Sequence, residues 1–269
     1  MEKPKFRPDF ATIGGLILAA SGILGGLLLE GGAIRDVLQY TAAIIVIGGT
    51  FGAVMINFPL PVVIGGLKRF GHIFHDGSAD LQQLVDQIVE LAGKARKQGI
   101  VSLEGDMNDM EEPFLKKALG LAVDGTDLQE LRRMLELQID QDEHRANQEA
   151  KVWESAGGYS PTIGIIGAVM GLIQVMKNLA NIEEVGHGIA VAFVATVYGV
   201  AFSNILFLPA SAKIKSRIQN EVQRKELILE GVSAMVEGLN PKLIQVKLEA
   251  YLSGHAGHGP AAKPAGGGA

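Results

Sequence analysis

A chain of 269 residues that is 48% hydrophobic and 20% charged has a mean hydropathy of +0.24, high for a soluble protein, and the distribution of its apolar residues matters more than their total. It has no cysteine, which excludes a disulfide framework, a zinc–thiolate site and a nucleophilic thiol, and its net charge of −5 argues against a broad nucleic-acid surface. Of its 35 glycines, 15 fall inside long uncharged apolar runs, the way packed membrane helices use small residues.

In chain order, Lys3, Lys5 and Arg7 precede an uncharged run from Ala11 to Leu29. That run is longer than a signal-peptide core and is followed by no small-residue cleavage pattern, so it is expected to be a retained span. A second uncharged run extends from Val37 to Leu67, a third from Pro161 to Met176, and a fourth from Gly188 to Ala212. A helix needs about 20 apolar residues to cross the hydrocarbon core. The runs predict spans near 10–30, 38–60, 160–180 and 188–210. The third is short and carries Gln174, so it is expected to face protein or an aqueous path rather than lipid.

Lysine and arginine number three in the N-terminal arm, eleven in 61–160 and eight after Ala212, against one in each short connection (Arg35 and Lys177). The positive-inside rule then places both termini and the long middle segment in the cytoplasm. Within that segment, Leu81, Leu84, Val85, Ile88, Val89 and Ala92 recur at helical spacing over Ala79–Gln98, with Ser78 as cap and Gly99 as stop. A second helix is expected from Pro113 to Gly125. Thr126 with Gln129 suggests a capping box opening a third, which leads into span three. Span four is expected to continue as Lys213–Val236.

These elements predict an all-α integral membrane fold: four transmembrane helices, a helical cytoplasmic domain between spans two and three, and spans three and four extended into the cytoplasm. The expected organisation is a cytoplasmic arm over 1–9, spans one and two over 10–60, and the cytoplasmic helical domain over 61–159. Spans three and four follow over 160–210, a helical extension over 211–252, and a disordered Gly/Pro/Ala-rich tail over 253–269. No strand is expected.

Few residues could carry soluble chemistry. His72 and His75, with Asp76 beside them, have metal-ligand spacing but no third ligand in register, and His255 and His258 lie in the tail. No metal or other cofactor is expected, and an enzyme is a remote reading. Gly22/Gly26, Gly48/Gly52 and Gly167/Gly171 are each four apart, a spacing that lets helices approach closely within one subunit or between subunits. Thr196, Ser203 and Asn204 are polar residues inside span four. A hydroxyl there either bonds its own backbone or faces a hydrated ion path. Pro161 is expected at the first turn of span three, where it needs no functional explanation, and Pro209 inside one continuous helix, which it kinks. No Asp, Glu or Lys lies in the middle of any span, so a protein of this kind that moves ions needs a carboxylate from a partner.

Four stretches, ARKQGIVSLE (95–104), EPFLKKALGLAVDGTD (112–127), SPTIGIIGAVMGLIQVM (160–176) and GIAVAFVATVYGVAFSNILFLPASAKI (188–214), resemble the MotA/PomA family of flagellar stator proteins within the MotA/TolQ/ExbB group. The resemblance implies a pentamer in the bacterial inner membrane around a dimer of MotB-type single-span subunits. Ion flow past the MotB aspartate turns the ring, which engages FliG of the rotor. By position, Arg96 and Glu104 match the charged pair that contacts the rotor, Pro161 and Pro209 the two prolines linked to conformational change, and Thr196 the threonine beside the ion path. Sodium-type members carry a second threonine where this chain has Ala168, which favours proton coupling. A TolQ/ExbB-type energiser is the nearest alternative, disfavoured by the two spans that precede the middle segment. A scaffold without ion flux is the alternative of another class.

Overall fold

The structure is a computed structural model that describes residues 7–76, 81–107 and 110–255. Its described residues are almost all helical, and four helices are long and apolar enough to cross a membrane. Contacts divide the chain into two units, Met1–Gly77 with His144–Ile218, and Ser78–Glu143 with Gln219–Ala269. Residues 61–77, 144–159 and 211–218 belong to the same unit as the apolar helices.

In the first unit, α1 (Phe10–Leu29) starts where the Asp9 carboxylate accepts the Thr12 amide at 2.9 Å. None of its residues is buried within the chain. A single turn, α2 (Tyr40–Ala43), runs through a π-helical segment (Ile44–Gly48) into α3 (Gly49–Asn57). The uncharged run does not continue as one helix. Pro59 forces Phe58 into extended backbone (φ −126°, ψ 144°) and opens the separate helix α4 (Leu60–His72).

Helix α8 (Leu128–Lys177) is continuous, so the third polar helix does lead directly into the third apolar run. Its start differs from the expected capping box: the Asp127 carboxylate, not Thr126, accepts the Gln129 amide at 3.0 Å. Pro161 therefore lies deep inside a helix rather than at its first turn. Helix α9 (Ile182–Ala201) begins six residues before Gly188, because Asn181 caps it and Glu183 and Glu184 favour its positive N-terminal end. It passes through a π turn (Phe202–Phe207) into α10 (Leu208–Val236). The wider turn just before Pro209 accommodates a ring that would clash in a regular helix.

A two-residue antiparallel pair, β1 (Arg7–Pro8) with β2 (His75–Asp76), is the small exception to the all-helical expectation. It forms because Arg217 holds the chain after α4 open, donating to the carbonyls of His72, Ile73 and His75.

The second unit is a soluble-type helical core. Helix α5 (Leu81–Gln98) ends at Gly99, whose φ of +85° only glycine adopts readily. The expected Ser78 cap lies outside the described residues. A 3₁₀ turn (Ile100–Leu103) and α6 (Glu104–Met107) follow, then α7 (Pro113–Val123), which ends two residues before Gly125 (φ +76°). The last helix, α11 (Pro241–His255), is capped by Asn240 and enters the stretch expected to be tail. The rest of that stretch, including His258, lies outside the described residues. Ile88, Leu115, Leu119, Leu131, Leu227 and Leu248 are fully buried here. Each stabilises the unit by about 1.5–3 kcal/mol through burial.

Candidate functional site

Helices α8 and α9 cross at close range because glycine faces backbone. A Cβ at Gly171 would lie 2.7 Å from the Gly188 carbonyl oxygen, and one at Gly199 would lie 2.7 Å from that of Ser160. A Cβ at Gly164 would meet the Ala195 carbonyl at 2.8 Å and the Thr196 Cα at 3.5 Å. The Gly167/Gly171 pair is therefore used within the chain. Gly22, Gly26, Gly48 and Gly52 have nothing within 4 Å at the same positions, so close packing inside the chain does not explain them.

Thr196 is half-buried at this crossing, and its hydroxyl donates to the Ala192 carbonyl at 3.2 Å, the local backbone bond expected of a helical threonine. Ala168, also half-buried, lies one turn along α8 from Gly164, the residue that faces Thr196. The crossing thus brings the two expected ion-path residues to the same pair of helices. Gln174 is exposed on the single chain, and Asn204 is exposed and donates to the Val200 carbonyl.

Pro161 and Pro209 sit on α8 and α10. Pro161 has no amide hydrogen for the Gly157 carbonyl four residues earlier. The buried Ser203 hydroxyl, from the π turn, donates to that carbonyl at 2.7 Å. Eight residues on, the buried Ser211 hydroxyl donates to the Ala150 carbonyl at 3.1 Å.

Sequence reasoning missed two clusters that hold this unit. The indole of Trp153 donates to the Gly66 carbonyl at 2.8 Å, stacks on Phe70 at 4.3 Å and meets Phe51 edge-on at 6.1 Å. The signal available was that Trp153 is the chain's one tryptophan. Nearby, the buried Glu149 carboxylate accepts from Arg69 at 2.5 Å.

The second cluster centres on Asp9, which besides capping α1 accepts from Lys213 and from Arg217. The Lys213 hydrogen bond, with the Thr12 amide, lowers the Asp9 carboxyl from 3.8 to about 2. A carboxyl depressed on folding stabilises the fold fully above its ordinary value, and that stabilisation is lost as pH falls from 3.8 toward about 2. Asp9→Asn is expected to lower the thermal midpoint of the detergent-purified chain at pH 7 and to flatten its decline between 3.8 and about 2. An unchanged acid limb of the stability curve would remove this cluster from the account.

Arg217's bonds to the His72 and His75 carbonyls give that segment a structural role. Among the described residues no group of three or more His, Cys, Asp or Glu could hold a metal ion.

In the second unit, Arg96 lies in the last turn of α5 and Glu104 begins α6, both exposed, with no ion-pair partner among the described residues. The turn between them is braced instead by Lys94, whose ammonium reaches both oxygens of Asp106 at 2.8 and 2.6 Å. Behind it the core is tied by Arg132 to Glu230 and Arg224 to Glu112. Burial alone would raise the Glu230 carboxyl, but the Lys247 hydrogen bond and the Arg132 charge outweigh it and hold the group below its usual value.

Two family models match the chain: motility protein A N-terminal over residues 13–99, and the MotA/TolQ/ExbB proton channel family over 106–227. The motility protein A of Bacillus subtilis (strain 168) is 34% identical over 91% of this chain and 91% of its own length. The chemotaxis protein PomA of Vibrio alginolyticus is 33% identical over 91% of this chain and 96% of its own. Among solved structures, MotAB of C. jejuni superposes with a TM-score of 0.86 at 32% identity, covering 90% of this chain and 95% of that one. The flagellar MotAB stator complex of Bacillus subtilis gives 0.84 at 33% identity, covering 92% and 98%.

Proposed function

The chain belongs to the motility protein A family, within the MotA/TolQ/ExbB proton channel group, and we propose that it works as a stator subunit of the flagellar motor, coupling proton flow across the inner membrane to rotation with a MotB-type partner. Its four apolar helices, together with its motility protein A relatives, make it a protein of the inner membrane. The observation that carries the reading is an absence at membrane depth: the apolar runs 11–29, 37–67, 161–176 and 188–212 hold no Asp, Glu, Lys or Arg. Such a shell passes ions only around a carrier supplied by another chain. A TolQ/ExbB-type role is not favoured, since the N-terminal model for motility protein A covers the first two apolar runs.

In this reading the termini and the second unit are cytoplasmic, in keeping with the lysine and arginine distribution, and the subunits form a pentamer. The proposed spans remain near 10–30, 38–60, 160–180 and 188–210. Arg96 and Glu104 contact FliG of the rotor. Their exposure, with no ion-pair partner among the described residues, supports that role. Thr196 borders the ion path. Pro161 and Pro209 carry conformational change between the membrane and the cytoplasmic helices, supported by the place of Pro161 deep inside α8 and of Pro209 just after the π turn that joins α9 to α10. Ala168 lacks the hydroxyl that would replace part of sodium's hydration shell, which supports proton coupling.

The test is co-expression with a MotB-type subunit in cells lacking their own pair. Rotation is expected to return in sodium-free medium and to stop when a protonophore collapses the proton gradient. The purified chain alone is expected to conduct no protons in vesicles. Proton conduction by the chain without a partner would sink the reading.

A further inference from the structure

We propose that Ser203 is a positioning residue whose hydroxyl replaces the amide hydrogen missing at Pro161, so that span three bends without losing its hold on span four; the motor role given to it rests on the reading of Pro161 above. Three observations on different residues converge here. First, Pro161 lies inside α8, so the Gly157 carbonyl is deprived of its usual helical donor. Secondly, that carbonyl faces protein rather than water, and Ser203, 2% exposed, donates to it at 2.7 Å. Thirdly, Gly157 has no side chain to keep the neighbouring helix away: a Cβ there would lie 2.5 Å from a methyl of Leu208.

The π turn explains how the hydroxyl reaches the carbonyl. Phe202–Phe207 holds more residues per turn than an α-helix, which shifts the phase of its side chains around the axis. Ser203 sits in that turn and is buried, while the next residue, Asn204, is exposed. A proline that removes a bond from α8 and a π turn that aims a donor at the same carbonyl are two halves of one device.

Ser211 provides the internal control. It makes the same kind of bond to the Ala150 carbonyl at 3.1 Å, but Ala150 lies four residues before Glu154, which has an amide to give. Ser211 therefore supplements a bond, whereas Ser203 substitutes for one. Leaving a buried acceptor without a donor costs far more than removing one of two donors.

The physical consequence concerns motion. A proline-bent helix with a free carbonyl flexes in any direction that lets the carbonyl find a partner. With Ser203 bonded, the bend is tied to α9 and α10, and displacement on either side of Pro161 carries the neighbouring helix with it.

The experiment uses the full-length chain with its partner subunit, comparing wild type with Ser203→Ala, Ser203→Thr, Ser211→Ala, Pro161→Ala and the Ser203→Ala/Pro161→Ala double variant. Two quantities are read: the thermal midpoint of the purified assembly, and the speed increment per incorporated stator unit in tethered cells. A merely structural loss lowers the number of units incorporated, not the increment each one adds. Ser203→Ala is expected to reduce the increment about twofold or more, the scale of one lost hydrogen bond. Ser203→Thr, which keeps the hydroxyl, restores most of it, and Ser211→Ala leaves it unchanged. Pro161→Ala gives residue 161 an amide, so adding Ser203→Ala to it lowers the midpoint much less than it does beside Pro161. Equal midpoint losses in the two backgrounds overturn the proposal, as does a normal increment in Ser203→Ala. If Pro161→Ala rotates at normal speed, the coupling role of Pro161 fails on its own, and the hydrogen-bond substitution is still decided by the thermal cycle.

Discussion

Reversing one exposed charge, Arg96→Glu or Glu104→Lys, is expected to cut rotation at least about tenfold while membrane level and assembly with the partner stay at wild-type values, because juxtaposed like charges across an interface cost several kcal/mol and about 1.4 kcal/mol is a factor of ten. The cost to the fold is small by comparison. Arg96 lies in the last turn of α5, where a positive charge suits the helix dipole, and Glu104 lies in the first turn of α6, where a negative one does. Reversing either costs about 0.3–1 kcal/mol at an exposed helix end. Neither residue has an ion-pair partner among the described residues that a reversal would strand. The bracing pair beside them, Lys94 and Asp106, is untouched by these substitutions. The measurement is tethered-cell rotation with the protein quantified in the membrane fraction. Full torque from both reversals removes Arg96 and Glu104 from the rotor contact.

The second large effect concerns assembly rather than torque. Gly171→Val is expected to deplete the complex from the membrane and abolish motility. The first added carbon would lie 2.7 Å from the Gly188 carbonyl oxygen and 2.8 Å from the Ala192 amide nitrogen. Both are backbone atoms of α9, so relief requires moving a helix rather than rotating a side chain. Overpacking of this kind costs about 1–3 kcal/mol and sometimes more. Burial offers little to offset it, because lipid is as apolar as the helix interface it would replace. Gly158→Ala on the same helix is the matched control: nothing lies within 4 Å of its added carbon, and alanine is the better helix former. Quantifying the solubilised complex by size-exclusion chromatography separates the two. Normal assembly of Gly171→Val would mean that α8 and α9 are not held at this crossing.

Particular residues show where sequence reading stops. Gly99 and Gly125 terminate helices as expected, because a positive φ is a local property that glycine alone accepts cheaply. At the start of α8, Thr126 and Asp127 both qualify locally as the cap, and only the carboxylate of Asp127 meets the Gln129 amide. Pro161 looked like the first turn of a helix because the uncharged run begins there. Hydropathy reports the solvent a segment prefers and says nothing of a polar helix continuing into an apolar one. Asp9 lies 204 residues from Lys213 and 208 from Arg217, so no local pattern could pair it with them.

What the sequence determined by itself was therefore one-dimensional: which segments are apolar enough for a bilayer, where glycine stops a helix, and that no carboxylate or lysine lies in the uncharged runs. These follow from composition and from backbone sterics over a few residues. The tertiary structure alone decided which glycine pairs are used within the chain, which carbonyl Ser203 completes, and that Trp153 locks onto Gly66. Each of these depends on the distance between helices far apart in sequence, and that distance is set by how their surfaces pack.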